Sequence, residues 1–227
     1  MTNHEKPGVN FDVGDVCARF SVVYTGAISD VLDEMGFRHQ VLPWEIQGLT
    51  LEHRLAGVAM PVEGQPTESR DPEEIFVPVL KMLGDLKPGD VMICQPHDSV
   101  SAHFGELSAE SAKHRGARGA VIDGGARDID YILNLGFPMF CRYRTPRDIV
   151  GRWKLVSYGQ PIQIGQVTVH RGDFVVGDKD GVLVIPRDLA LEVLRRSEEV
   201  AGTENLVRKA ILRGVHPLEA YREYGRF

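Results

Sequence analysis

Little in the sequence would staple the chain, anchor it or wrap it around a polymer. Its three cysteines, Cys17, Cys94 and Cys141, are odd in number and widely spaced, and no C-x-x-C pair occurs. That excludes a disulfide framework and a zinc knuckle as organising devices. No apolar run approaches the ~20 residues of a bilayer-spanning helix. The opening residues, MTNHEKPGVNFD, are polar and carry no apolar core of a secretion signal, so a soluble cytoplasmic protein is expected. Lysine and arginine number 26 against 32 acids, giving a net charge of −6 with no basic run. A protein that coats nucleic acid needs the opposite balance, so no nucleic-acid or membrane partner is expected. Repeats, low-complexity tracts and linker-like stretches are also missing. With 43% hydrophobic and 26% charged residues, residues 1–227 read as one globular domain.

What is present reads as an α/β chain. After a polar arm, Ile28, Val31, Leu32 and Met35 mark one helix face, with Thr25 or Ser21 to cap it and Gly36 to end it. Residues 37–53 read as loop, and Leu55 to Glu63 as a strand broken by Gly57 and Pro61. Asp71-Pro72-Glu73-Glu74 is a strong helix start, and Phe76, Val79, Leu80 and Leu83 form the expected buried stripe, closed by Gly84. Lys87 to Asp90 turns into a short strand at Val91 to Cys94. Residues 95–104 read as a polar loop, and GELSAESAKHRG as a closely packed helix. Past a strand at Met139 to Cys141, the rapid turns of residues 161–186 predict an antiparallel layer, with Asp178 and Asp180 as turn residues. A long helix from Arg187 to about Arg213, with Gly202 as a break, would span on the order of 40 Å. That exceeds what one small domain needs, so residues 187–227 are expected to be a C-terminal helix and tail used in subunit contacts.

The chain is organised around GARGAVIDGGARD, Gly116 to Asp128. Ala120-Val121-Ile122 is a buried-strand signal that empties through an acidic turn, Asp123-Gly124-Gly125, into a helix at Ile129 to Leu135. Such a junction leaves backbone N–H groups at a rim where the helix dipole favours an anion. Arg127 and Asp128 stand at that rim. Asp128 is either a helix cap with Arg127 a surface charge, or the two hold an anionic molecule beside a cation. The glycine pair is no dinucleotide fingerprint, because its third glycine is missing.

Glu106 opens the preceding helix. Successive strand-to-helix junctions commonly open on one edge of a sheet, so Glu106, Arg127 and Asp128 are expected to share a cavity. Carboxylates without cysteine or an obligatory histidine suit a hard divalent cation, Mg²⁺ or Mn²⁺. The alternative for Glu106 is a first-turn acid stabilised by the helix dipole. His97 and His103 lie just upstream as loop histidines, solvated or touching substrate. Arg142, Arg144, Arg147 and Arg152 crowd a later loop, where they would receive a second carboxylate or make subunit salt bridges.

The run AHFGELSAESAKHRGARGAVIDGGARDIDYILNLGFPMFCR, with SDVLDEMG before it and GDKDGVLVIP after it, resembles the 4-hydroxy-4-methyl-2-oxoglutarate / 4-carboxy-4-hydroxy-2-oxoadipate aldolase family. That family shares its fold with the regulator of ribonuclease E activity A. Its hallmark, an acid, twenty positions, then Arg-Asp, is matched by Glu106, Arg127 and Asp128, with Glu106 where the aldolase pattern has Asp. The resemblance implies a swivelling β/β/α domain: mixed sheet layers, flanking helices and a long C-terminal helix, assembled as a homotrimer or homohexamer. It implies a class II lyase that cleaves a 4-hydroxy-2-oxo acid to pyruvate through a metal-stabilised enolate, with oxaloacetate decarboxylation as a side activity. Carried across, Asp128 would ligate the ion directly. Glu106 and Glu204 would act through water, the latter from a neighbouring subunit, with Glu198 and Glu199 as alternatives to it. Arg127 and Glu106 would be catalytic, and Gly105, Glu106, Leu107, Ser108 and Arg127 would bind substrate. The family's regulatory branch offers a second function, protein-binding control of a ribonuclease E-type activity.

Overall fold

A computed structural model describes residues 11–227. Residues 1–10, most of the stretch read for a secretion signal, lie outside the described residues. The arm beyond them is helical: Asp12 caps α1 (Val13–Phe20) by accepting from the amide of Gly14 at 2.8 Å, and Val16, Cys17 and Phe20 are buried. In α2 (Thr25–Glu34) the expected face is buried and Gly36, at φ +88°, ends the helix. Neither expected cap holds. Tyr24 occupies the cap position, and Thr25 donates its amide (2.9 Å) and hydroxyl (2.7 Å) to buried Asp178. Asp178 therefore ties α2 to a strand hairpin besides forming a turn.

The centre is a nine-stranded mixed sheet. β2 (Leu55–Pro66), β3 (Asp90–Gln95), β5 (Gly119–Ala126) and β6 (Met139–Arg144) run parallel, in the spatial order β6-β5-β3-β2. Beyond β2 come β10 (Phe174–Asp178) and β11 (Gly181–Ile185), antiparallel, and beyond β6 lies β1 (Gln47–Gly48). β4 (Ala102–Phe104) adds to β5, and β7 (Trp153–Tyr158) to the far half of β2. A separate hairpin joins β8 (Ile162–Ile164) and β9 (Val167–Val169). The sheet nearly closes on itself. Residues 40–42 pair with β11 through Val184 N to Gln40 O and Leu42 N to Val182 O, both 2.9 Å, and the same segment continues into β1.

Alternation along the strands sorts the core. Val91, Ile93, Val121 and Phe140 point inside the curl, against Ile164 and Val167 of the small hairpin. Met92, Cys94, Ala120 and Ile122 point outward to α3 (Pro72–Asp85), α4 (Glu106–His114) and α5 (Ile129–Leu135). Gly57 and Pro61 do not break β2. Pro61 lacks a donor, but its carbonyl accepts from Gly159 at 2.8 Å, and a Cβ on Gly57 would lie 2.7 Å from Gly89 O. On the other side α1, α2 and α6 (Ala190–Leu212) cover β10 and β11.

Three further expectations change. The buried face of α3 is Ile75, Met82 and Leu83, while Phe76 and Leu80 remain 42% and 63% exposed. The apolar stripe is wider than the core needs, and its surplus edge faces a cavity. α6 runs unbroken through Gly202, and the tail forms a further helix, α7 (Pro217–Tyr224), whose Ala220 packs against Val207 and Ala210. Arg196 and Arg226 both clasp Glu34, at 2.7 and 2.6 Å, fastening this tail to α2.

Candidate active site

The expected helix at Ile129–Leu135 forms with those bounds. The turn before it does not: Asp123, Gly124 and Gly125 stay in β5, which ends at Ala126. Their glycines answer to close approach. A Cβ on Gly124 would sit 2.6 Å from Nδ1 of His103, and one on Gly125 would collide with the carbonyl of Ser101 and the Tyr143 ring. The segment expected to be loop, residues 95–104, thus lays β4 directly on these glycines. A three-residue strand in a polar stretch leaves no periodic signal.

His103 is not solvated, although it belongs to the wall of the cavity described below. Its side chain is fully buried, its Nδ1 accepts from the amide of Gly125 (3.2 Å), and its Nε2 therefore carries the proton donated to Asp98 (3.0 Å). Burial lowers its pKa, outweighing the opposing pull of Asp98. The fold thus binds fewer protons at this ring than the unfolded chain, in which it titrates near 6.5. Its contribution to stability is complete above that pH and lost as pH falls below it. The melting temperature should be lower at pH 5.5 than at pH 7.5, and His103→Gln should flatten that slope. Asp98 acts further down: burial would raise its carboxyl, but Ser101 and His103 hold it below the usual range. His97 lies apart, paired with Glu63 at 3.1 Å in a left-handed backbone.

β4 runs into Gly105 and α4, while β5 runs through Arg127 to Asp128. The two junctions meet in one cavity of ≈ 430 Å³, lined by Gly105, Glu106, Leu107, Ser108, Arg127 and Asp128 together with apolar side chains from α3. All the expected site residues except Glu204 are brought together. Asp128 sits at the cap position of α5 but makes no capping bond; its backbone is left-handed, φ 57° and ψ 38°. That conformation turns its carboxylate away from α5, so the capping alternative fails. Oδ2 accepts instead from the amide of Glu106, 3.2 Å away at the start of α4. Gly105 makes this possible, since a Cβ there would lie 2.6 Å from that oxygen.

Asp128 satisfies only the first amide of α4, Gly105 at the cap position has no side chain to add, and the first internal bond is Ala109 N to Gly105 O. The amides of Leu107 and Ser108 are therefore left for a ligand. Arg127 is held between two carboxylates, with Nη1 2.9 Å from Asp148 and Nε 3.5 Å from Asp128. Asp148 was missed in a loop read only for its arginines. Burial would raise its carboxyl, but the Val150 amide and Arg127 hold it below the usual range.

Of the loop arginines, Arg142 pairs with Asp123 and Glu45, and Arg152 donates to the carbonyls of Asp148 and Val150. Arg144 donates to Leu49 O and lines a second, shallower hollow beside Arg127 and Asp128. Glu204 lies elsewhere in this chain, accepting from the Tyr24 hydroxyl. Burial first, then Glu204, raise the pKa of that phenol. Glu198 pairs with Arg19 and Glu199 with Arg195.

The donor set can be matched to a cation. The cavity sets three carboxylates, Glu106, Asp128 and Asp148, against one guanidinium. Among the described residues no three His, Cys, Asp or Glu side chains converge on an ion. A hard cation such as Mg²⁺ or Mn²⁺ can be held by one or two carboxylates with water and substrate oxygens, and Asp128 and Glu106 are the cavity carboxylates expected to take that part.

Known proteins share both sequence and fold with this chain. The family profile described as Aldolase/RraA, RraA-like, matches residues 25–184. A Halalkalibacterium halodurans protein named "Putative 4-hydroxy-4-methyl-2-oxoglutarate aldolase" is 31% identical over 92% of this chain and 94% of its own. A solved structure described as one of the "novel cellulases from microbes associated with the gut ecosystem" superposes with TM-score 0.83, at 35% identity over 88% of this chain and 90% of that one. Streptomyces coelicolor RraAS2, described as an unusual member of the RNase ES inhibitor RraA family, superposes with TM-score 0.77, at 26% identity over 86% and 98%. With most of its length matched by the profile and by a full-length relative, and with the fold in common, the chain belongs to the aldolase/RraA family.

Proposed function

We propose that this protein is a divalent-metal-dependent carbon–carbon lyase that releases pyruvate from a 4-hydroxy-2-oxo acid and decarboxylates oxaloacetate as a side activity. One observation carries the reading: Asp128 and Arg127 converge on the start of α4 within a single cavity. The amides of Leu107 and Ser108 receive the 2-carboxylate. Arg127, oriented by Asp148, faces the 2-oxo oxygen, where negative charge develops. Asp128 would hold Mg²⁺ or Mn²⁺, which supplies a second positive charge at that oxygen. Glu106, whose carboxylate has no hydrogen-bond partner among the described residues, stands on the side where the 4-hydroxyl would give up its proton. Among the described residues no lysine lines the cavity, so none of them offers an amine for a Schiff base there.

Glycoside hydrolysis, suggested by one structural neighbour's description, needs a carboxyl kept protonated by a raised pKa. Asp148 in the cavity is shifted the opposite way, below the usual carboxylate range, by the Val150 amide and Arg127. Regulation of a ribonuclease, the description attached to the Streptomyces neighbour, would need neither Arg127 nor Asp128. Exposed Leu206 and Leu212 on α6 support assembly as a homo-oligomer, in which Glu204 would approach a neighbour's site.

The test is pyruvate release from a panel of 4-hydroxy-2-oxo acids and oxaloacetate with Mg²⁺, before and after EDTA. Turnover that EDTA abolishes and Mg²⁺ restores is expected. Full turnover in EDTA, or a stable complex with a ribonuclease and no turnover at all, would overturn the reading.

A further inference from the structure

The cavity is far roomier than a pyruvyl fragment requires. At ≈ 430 Å³ it lies in the ~300–1,000 Å³ range of sites that enclose much larger ligands. Past Arg127 and Asp128 its wall is made by Phe76, Leu80 and Leu83 of α3, Leu107 of α4, and Ile149. Phe76, Leu80 and Leu107 are 42%, 63% and 74% exposed, so their apolar surface is turned to whatever enters, not to the core. Among the described residues Arg127 is the one arginine or lysine in the lining, and Asp148 and Asp128 already flank it. Beyond the Arg127 end the polar side chains of the lining are Ser108, Ser111, whose hydroxyl already donates to Leu107 O, and His103, fully buried on Asp98, so a second carboxylate on a substrate would face mostly hydrocarbon, close to three acids of the same sign.

Resting on the lyase reading, we infer that the half of the substrate beyond C4 is apolar: a 4-hydroxy-2-oxo acid bearing an alkyl or aryl group, not a dicarboxylate. The C3–C4 bond breaks, and its electron pair passes to C3 as the enolate of pyruvate. The 4-hydroxyl proton leaves as the new carbonyl forms, and a proton returns to C3. The products are pyruvate and an apolar aldehyde or ketone, with no oxidant, reductant or co-reactant needed. The alternative location for a distal carboxylate is the second hollow, where Arg144 and Thr145 lie on the other side of Asp128.

The experiment compares kcat/KM for 4-hydroxy-2-oxo-4-phenylbutanoate and 4-hydroxy-4-methyl-2-oxoglutarate, with Mg²⁺, in the wild type, Leu80→Lys and Arg144→Met. The phenyl substrate should be preferred by about tenfold or more, the scale on which apolar pockets discriminate. Leu80→Lys, at an exposed position that a lysine can occupy without unfolding the helix, should shift that ratio toward the dicarboxylate by a similar factor. Arg144→Met should leave the ratio unchanged. A wild-type preference for the dicarboxylate that Arg144→Met abolishes, or equal use of both substrates, would overturn the inference. Exchange of pyruvate methyl protons in D₂O reports on the lyase site without any distal group. Exchange without the preference removes the inference and leaves the lyase reading standing; neither exchange nor cleavage removes both.

Discussion

Asp128→Asn should fold normally and lose pyruvate formation by roughly 100- to 1,000-fold, the scale seen when one charge-stabilising group is removed from a preorganised site. Asparagine is the right replacement because residue 128 sits at φ 57°, a left-handed conformation that Asn and Asp tolerate better than other side chains. Its amide oxygen can still accept from Glu106 N, so the start of α4 keeps its contact. What disappears is the charge. Mn²⁺ binding followed by electron paramagnetic resonance should weaken in parallel with turnover, while the melting temperature stays within a few degrees. Asp128→Ala would be less informative, because part of its effect comes from the strained backbone. Wild-type turnover in Asp128→Asn would remove the ion-anchoring role altogether.

Gly105→Ala should damage the same site with a single methyl group. The backbone there, φ −146° and ψ −169°, is open to any residue, so the cost to folding should stay within about 1 kcal/mol. The new Cβ, however, would begin 2.6 Å from Oδ2 of Asp128, and the carboxylate must move by several tenths of an ångström or more. Where a reaction depends on fixed geometry, a displacement near 1 Å costs on the order of 100-fold. Turnover and Mn²⁺ affinity should therefore fall together with little change in melting temperature. Combining Gly105→Ala with Asp128→Asn should add little to the latter alone, because both act through one carboxylate. A fully additive double variant would mean that Gly105 matters for another reason.

Much of this arrangement was legible in the sequence. The α4–β5–α5 order, the shared cavity of Glu106, Arg127 and Asp128, and the long C-terminal helix all follow from periodicity and glycine placement. The errors have specific physical causes. Three-residue β4 is fixed by its contact with Gly124 and Gly125, and contact between distant segments leaves no local pattern. The same glycines suggested a turn because glycine serves both tight turns and close packing, and sequence alone does not say which. On α3 the apolar stripe exceeds the buried face, so periodicity alone points Phe76 and Leu80 to the core although they border the cavity. Asp128 at a helix start looks like a cap, and only its left-handed backbone shows that it points elsewhere. Asp148 gave no signal, because its role is to orient a residue 21 positions away.

The way residues 40–48 bridge the outermost strands bears on how molecules of this protein can meet. One flank of the segment is hydrogen-bonded to β11 and the other to β6, so the strands ending the sheet path already have main-chain neighbours within the chain. A free strand rim is where a foreign chain would add itself by lateral pairing. At the two strands that end the sheet path that invitation is withdrawn from within.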